Sequence, residues 1–93
     1  MRLVWDEPKR RANLEKHGLD FAILEEKFDW RTAVAIPAEP SRMGRARTIF
    51  VGQVVDDLVV VVVASQLGAE ALSIVSMRPA NRRERELYAK QQV

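Results

Sequence analysis

Leu58-Val59-Val60-Val61-Val62-Val63-Ala64 decides the fold class of this 93-residue chain. The run is apolar at every position, so it shows neither the 3.6-residue period of an amphipathic helix nor the length of a membrane span. Unbroken β-branched side chains suit a strand buried on both faces, which makes this the central strand of a sheet. Turn residues bracket it: Asp56-Asp57 before, Gln66-Leu67-Gly68-Ala69 after. Upstream, Ala46 to Val51 is β-rich, and Gly52 to Val54 continues or ends that strand. Further upstream, Thr32 to Ile36 reads as a strand ended by Pro37, followed by a loop over Ala38 to Gly44. Downstream, Ala71 to Met77 is the last strand, with Leu72, Ile74 and Ser76 on one face and Ser73, Val75 and Met77 on the other. Pro79 cannot donate to a ladder and ends it. Short turns make these four strands an antiparallel meander.

Helices flank the sheet. Leu3-Val4-Trp5 is a short edge strand. Asp6 then caps a helix from Pro8 to His17, with Ala12 and Leu14 as its apolar stripe and Gly18 as its left-handed stop. Phe21, Leu24 and Phe28, spaced by three and four, predict a second helix over 21–28. Asn81 with Glu84 three residues on predicts a capping box and a helix to Lys90, docked through Leu87 and Tyr88. The order β-α-α-β-β-β-β-α is that of an α+β fold rather than a doubly wound one. Residues 1–93 make one domain, since a chain this short has no room for a second core.

Composition excludes several classes of function. There is no cysteine, hence no disulfide framework, thiol nucleophile or cysteine-ligated metal, which fits a reducing cytoplasm. One histidine and no His-x-x-x-His pair argue against a bound metal, and no phosphate-cradling glycine loop supports a nucleotide cofactor. The net charge is only +2, but its distribution alternates: residues 1–17 sum to +2, 18–30 to −3, 31–48 to +3, 49–77 to −3 and 78–93 to +3. Eleven of the fifteen basic residues are arginine, whose planar fork suits phosphate.

Arginine, lysine and one histidine are enough for metal-free RNA cleavage. A base takes the proton of the 2′-hydroxyl, cations offset charge on the phosphoryl oxygens, and an acid protonates the leaving oxygen. Each candidate has two readings. His17 moves a proton or simply caps a helix. Trp5 and Trp30 stack bases or pack the core. Arg78 binds phosphate or pairs with Glu84. Arg82 to Glu86 contacts RNA or is a solvated helix face.

Two segments bear on these alternatives. Trp5-Asp6 through Lys9, Asn13, Lys16-His17-Gly18-Leu19 and Phe21 fits W-D-x-x-K-x-x-x-N-x-x-K-H-G-[hydrophobic]-x-F at every fixed position. Val75-Ser76, Arg78, Ala80, Glu84-Arg85 and Tyr88 fit I-S-x-R-x-A-x-x-x-E-R-x-x-Y with valine for the isoleucine. Together they resemble the BrnT family, the toxin half of a bacterial type II toxin–antitoxin pair. The resemblance implies a RelE-like fold, a small antiparallel sheet with helices packed on one side. It implies a cytoplasmic ribonuclease that arrests translation without a cofactor or metal. It further implies a BrnA-like ribbon-helix-helix antitoxin, operator DNA bound only through the complex, and a toxin dimer within it.

Carried over by position, the resemblance assigns catalysis to Arg47, Arg78 and His17, and RNA contacts to Lys16, Arg83 and Tyr88. The chain departs from the family twice. Many members enter a mid-chain strand as G-E-x-R, where this chain has Gly44-Arg45-Ala46-Arg47, leaving Glu39, Glu70 or His17 as the base. Many also carry an arginine in the turn before the last strand, and Gln66-Leu67-Gly68 offers none. A non-catalytic module that only docks a partner is the alternative reading.

Overall fold

The valine run lies at the centre of one five-stranded sheet. Its strands are β1 (Arg2–Trp5), β2 (Val34–Ala38), β3 (Arg47–Gln53), β4 (Val59–Leu67) and β5 (Ala71–Pro79), in the spatial order β1-β5-β4-β3-β2. Three helices accompany it: α1 (Glu7–His17), α2 (Ile23–Glu26) and α3 (Arg82–Gln91). The computed structural model describes residues 2–39, 44 and 46–92, so Arg45 and most of the loop after β2 lie outside the described residues. Strands β2 to β5 form the antiparallel meander, and β1 joins the far edge parallel to β5. The element order is the expected one, with a 3-10 turn at Val55–Asp57 joining β3 to β4.

Valine after valine serves both faces. Val60, Val62 and Ala64 pack against Phe21, Leu24 and Phe28 from the α2 segment. Val61 packs with Val51, Ala80 and Tyr88 beneath α3. The helices therefore occupy opposite faces, which corrects the one-sided arrangement implied by the resemblance. The cause is the continuous apolar strand, which leaves both faces of β4 in need of cover.

Other expectations are corrected in detail. Met77 shares the face of Leu72 and Ile74 rather than that of Ser73. The register explains it: Val63 pairs with Ser76 but Ala64 pairs with Ile74, so Val75 is an extra residue, a bulge that shifts the alternation by one. Pro37 lies inside β2, opposite Thr48, and does not end it. An edge strand tolerates this because one side of it has no ladder to serve. The 21–28 segment holds a single helical turn, α2, with non-helical turn residues on either side, although Phe21, Leu24 and Phe28 are all buried as their spacing requires. Asp6 precedes α1 without a side-chain capping bond, whereas Asn81 and Glu84 form the complete capping box of α3.

The largest correction concerns α1. Ala12 is exposed and Leu14 is 40% exposed, so neither anchors the helix. Asn13, between them, is the buried residue. Strand β1 stops at Trp5 opposite Ile74, which leaves the edge of β5 beyond that point without a strand partner. Asn13 Oδ1 accepts the Met77 N–H there (3.0 Å), and its Nδ2 donates to the Leu19 carbonyl (3.1 Å). One amide thus fastens the helix to the sheet edge and shapes the chain past Gly18, whose φ of 69° closes the helix.

Both tryptophans pack in the core. Trp5 meets Phe21 edge-on, and Trp30 meets Phe28 and Phe50 edge-on while donating to the Leu24 carbonyl. Phe28 also sets the size of residue 52. A β-carbon on Gly52 would run into the Phe28 ring, with Cε1 at 2.8 Å. Overpacking of this kind costs about 1–3 kcal/mol, so Gly52→Ala should lower the urea midpoint clearly, and pairing it with Phe28→Leu should restore part of the loss.

Candidate functional site

Tyr88 anchors α3 over one end of β3. Its hydroxyl is 2.8 Å from Thr32 Oγ1 and donates to Gln53 Oε1 (3.5 Å). The tyrosine assigned to RNA is therefore buried and engaged, 8% exposed. Its neighbours on this face are Val34, Val51, Val59 and Val61. Arg47 opens the opposite end of β3, six residues from Gln53, which is about 20 Å along a strand. Strand register puts Arg47 on the same face as Val51, because Arg47 pairs with Ser65 and Val51 with Val61. Arg47 is half-buried, and its Nε is buried with no hydrogen-bond partner among the described residues. An unmade bond of this type costs on the order of 1–3 kcal/mol.

Arg78 has a different setting. Its guanidinium makes a two-pronged pair with Glu84, Nη1 to Oε1 and Nη2 to Oε2, each 2.8 Å. Glu84 Oε1 also accepts the Asn81 N–H that begins α3. The hydrogen bond from Arg78 holds the Glu84 carboxyl below the usual carboxylate range. Arg85 Nη1 donates to the Ala80 carbonyl (2.9 Å) and Ala80 is buried. The closing motif is thus largely a docking code: Arg78, Ala80, Glu84, Arg85 and Tyr88 fix α3 on the sheet. Arg78 faces Val61 and Arg47 faces Ser65, four residues apart on β4, so their Cα atoms are about 16 Å apart. The structure does not bring the two arginines into one cluster.

The pair predicts a pH-dependent contribution. Because the folded-state carboxyl titrates low, its stabilisation is present above the ordinary glutamate range and is lost as pH falls through the depressed value. Glu84→Gln keeps an acceptor for Asn81 but removes the charge and turns one of the two oxygens that Arg78 holds into an NH2 group. We expect it to cost about 1 kcal/mol at neutral pH, with the gap to the parent narrowing in urea titrations as pH falls below the ordinary glutamate range.

The remaining candidates are spread apart. Lys16 is exposed and His17 half-buried at the end of α1, which packs on β5, whereas Arg47 is on β3 with β4 between. Arg83 is exposed on α3. Glu39 directly follows Ala38, the β2 partner of Arg47, and Glu70 lies in the β4–β5 turn, so both stand at the Arg47 end of the sheet. Among the described residues no three His, Asp or Glu side chains group as metal ligands. A cleft of about 850 Å³ opens on the other face, floored by Leu3, Phe50 and Leu72 beside Trp30. None of the residues assigned to chemistry lines it.

Comparison with known proteins bears directly on this arrangement. The family model described as the ribonuclease toxin BrnT of type II toxin–antitoxin systems matches residues 5–84. The chain belongs to the BrnT family. Among solved structures, it is similar to the 1.1 Å crystal structure of the Brucella abortus ribonuclease toxin BrnT. The two are 38% identical with a TM-score of 0.73, over 88% of this chain and 99% of that one. A comparison with curated proteins finds no match. The BrnT match includes Lys16, His17, Arg47 and Arg78 and ends at Glu84, short of Tyr88. No helix of the described residues is long and apolar enough to cross a membrane.

Proposed function

We propose that this chain is a metal-independent endoribonuclease that works from the Arg47 end of the sheet face carrying α3. The observation that carries the reading is the buried Arg47 Nε, a cationic donor without a partner, at the end of that face remote from the Tyr88 anchor. A phosphodiester placed there would meet a planar fork able to hold phosphoryl oxygens as charge develops. The attacking group would be the 2′-hydroxyl. Glu39 and Glu70 are the carboxylates at this end, and either would serve as the base, whereas His17 sits on α1 against β5 with β4 between it and Arg47. Lys16 and Arg83 would meet the RNA backbone. Arg78, committed to Glu84, holds α3 rather than the substrate.

A BrnA-type ribbon-helix-helix antitoxin would neutralise the toxin, bind operator DNA with it, and carry a toxin dimer in the complex. RNA cleavage that arrests translation places the protein in the cytoplasm. The pairing of Arg78 with Glu84, and the lack of an arginine in the turn before β5, favour a second reading: a partner-binding module without catalysis.

Purified chain incubated with RNA in excess EDTA separates these readings. Cleavage that persists in the chelator is the expected result. Cleavage that appears only when a divalent cation is added would overturn metal independence. Intact RNA at high concentrations of folded protein would favour the binding module.

A further inference from the structure

Ser65 and Ser73 have no assigned role, yet they share a row with Arg47. Arg47 pairs with Ser65 across β3 and β4, and Ser65 pairs with Ser73 across β4 and β5. Directly paired residues project from the same face, so these three side chains stand side by side on three adjacent strands, about 4.8 Å apart. The next row toward α3 holds Ile49, Val63 and Ser76, and the one after it Val51, Val61 and Arg78. The row of Arg47, Ser65 and Ser73 is thus polar on all three strands, at the end of the face away from the Tyr88 anchor.

A row of this kind is costly in a sheet interior. Ser65 is only 4% exposed, in the strand whose other inward positions are valine and alanine. Beside it the Arg47 Nε is buried without a partner. A valine at residue 65 would continue the run and favour the strand more strongly. A hydroxyl rather than a methyl group therefore stands beside the unpartnered Arg47 Nε.

We infer that Arg47, Ser65 and Ser73 form a three-strand shelf that binds the sugar–phosphate backbone of RNA, with the two serines as positioning residues. The inference rests on the ribonuclease reading and names a substrate-binding surface for it. Arg47 supplies charge and a fork. Each serine donates one O–H to a phosphoryl or ribose oxygen beside the group held by Arg47. Contacts of this type position RNA without reading its bases.

The test is a binding titration with a fluorescein-labelled RNA oligonucleotide carrying 2′-O-methyl groups throughout. It cannot be cleaved, because the attacking hydroxyl is blocked. Parent, Ser65→Ala, Ser73→Ala and Ser73→Thr are compared by fluorescence polarisation, each with a thermal melt. Both alanine variants should bind about tenfold more weakly with unchanged melts, and Ser73→Thr should bind like the parent. Equal binding by all four chains would overturn the shelf. So would absence of binding by the parent. Cleavage of unmodified RNA by the same preparations reports separately on the ribonuclease reading, so a shelf that fails beside intact catalysis is distinguished from a failed activity. If the alanine variants melt early, Ser73→Val against Ser73→Thr decides, because the two are nearly the same shape and differ in the hydroxyl: weaker binding by the valine variant supports the shelf, and equal binding overturns it.

Discussion

Arg47→Ala should lower single-turnover RNA cleavage about 100-fold, in line with the loss of one preorganised donor to a developing oxyanion. The same change should leave the thermal midpoint unmoved or slightly raised. The reason is the unpaired Nε: removing a buried donor that makes no bond removes a cost. Loss of activity without loss of stability is the signature of a residue kept for chemistry at the expense of the fold. Arg47→Lys should fall between, retaining charge but not the fork. If Arg47 contacts one phosphate, its removal should also flatten the salt dependence of RNA binding by about 0.7 in log–log slope. A variant that loses activity and stability together would place Arg47 among the structural residues instead.

The largest expected effect on stability belongs to Asn13. Its amide serves two backbone groups that have no other described partner, the Met77 N–H at the sheet edge and the Leu19 carbonyl after Gly18. Asn13→Ala is favourable for helix propensity, yet it leaves a buried donor unmatched. We expect a net loss of about 2–4 kcal/mol, and a thermal midpoint lower by about 10 °C or more. Asn13→Asp keeps the acceptor for Met77 and loses the donor to Leu19, so it should destabilise at neutral pH as well. Amide exchange at Met77 gives the local readout, since that proton should lose protection in Asn13→Ala ahead of its neighbours in β4. An alanine variant as stable as the parent would mean that water takes over both bonds and that α1 is held by something else.

These two residues also show where sequence reading succeeds and where it stops. The strands were legible because Val59 to Val63 leaves no alternative to a buried strand and because Asp56-Asp57 and Gly68 interrupt the chain beside it. The start of α3 was legible because Asn81 and Glu84 stand at the capping-box spacing. Asn13 was not, because apolar periodicity looks for carbon, and this helix is fastened by an amide. Met77 lies on the face that simple alternation denies it because a bulge at Val75 changes the phase, and a one-residue insertion leaves no mark in composition. Pro37 was read as a stop because its place at the sheet edge is a property of the assembled sheet.

The candidate site divides along the same line. Arginine as the candidate chemistry was visible in the composition. The separation of Arg47 from Arg78 was not, since it depends on how β3 and β5 register on β4. The pairing of Arg78 with Glu84 was open as one of two readings at a spacing of six residues, and the docking of α3 through Ala80, Arg85 and Tyr88 gives the closing motif its structural sense. Ser65 and Ser73 carried no signal of their own, because a serine in a strand is unremarkable until its partner across the ladder is known.

Growth of a bacterial host after tightly controlled induction tests the central claim most directly, comparing the parent with Arg47→Ala at equal soluble level. The account predicts arrest by the parent and growth with the variant. Arrest by both chains would show that toxicity does not run through Arg47, and growth with both would show that the parent is not a working ribonuclease toxin in that cell.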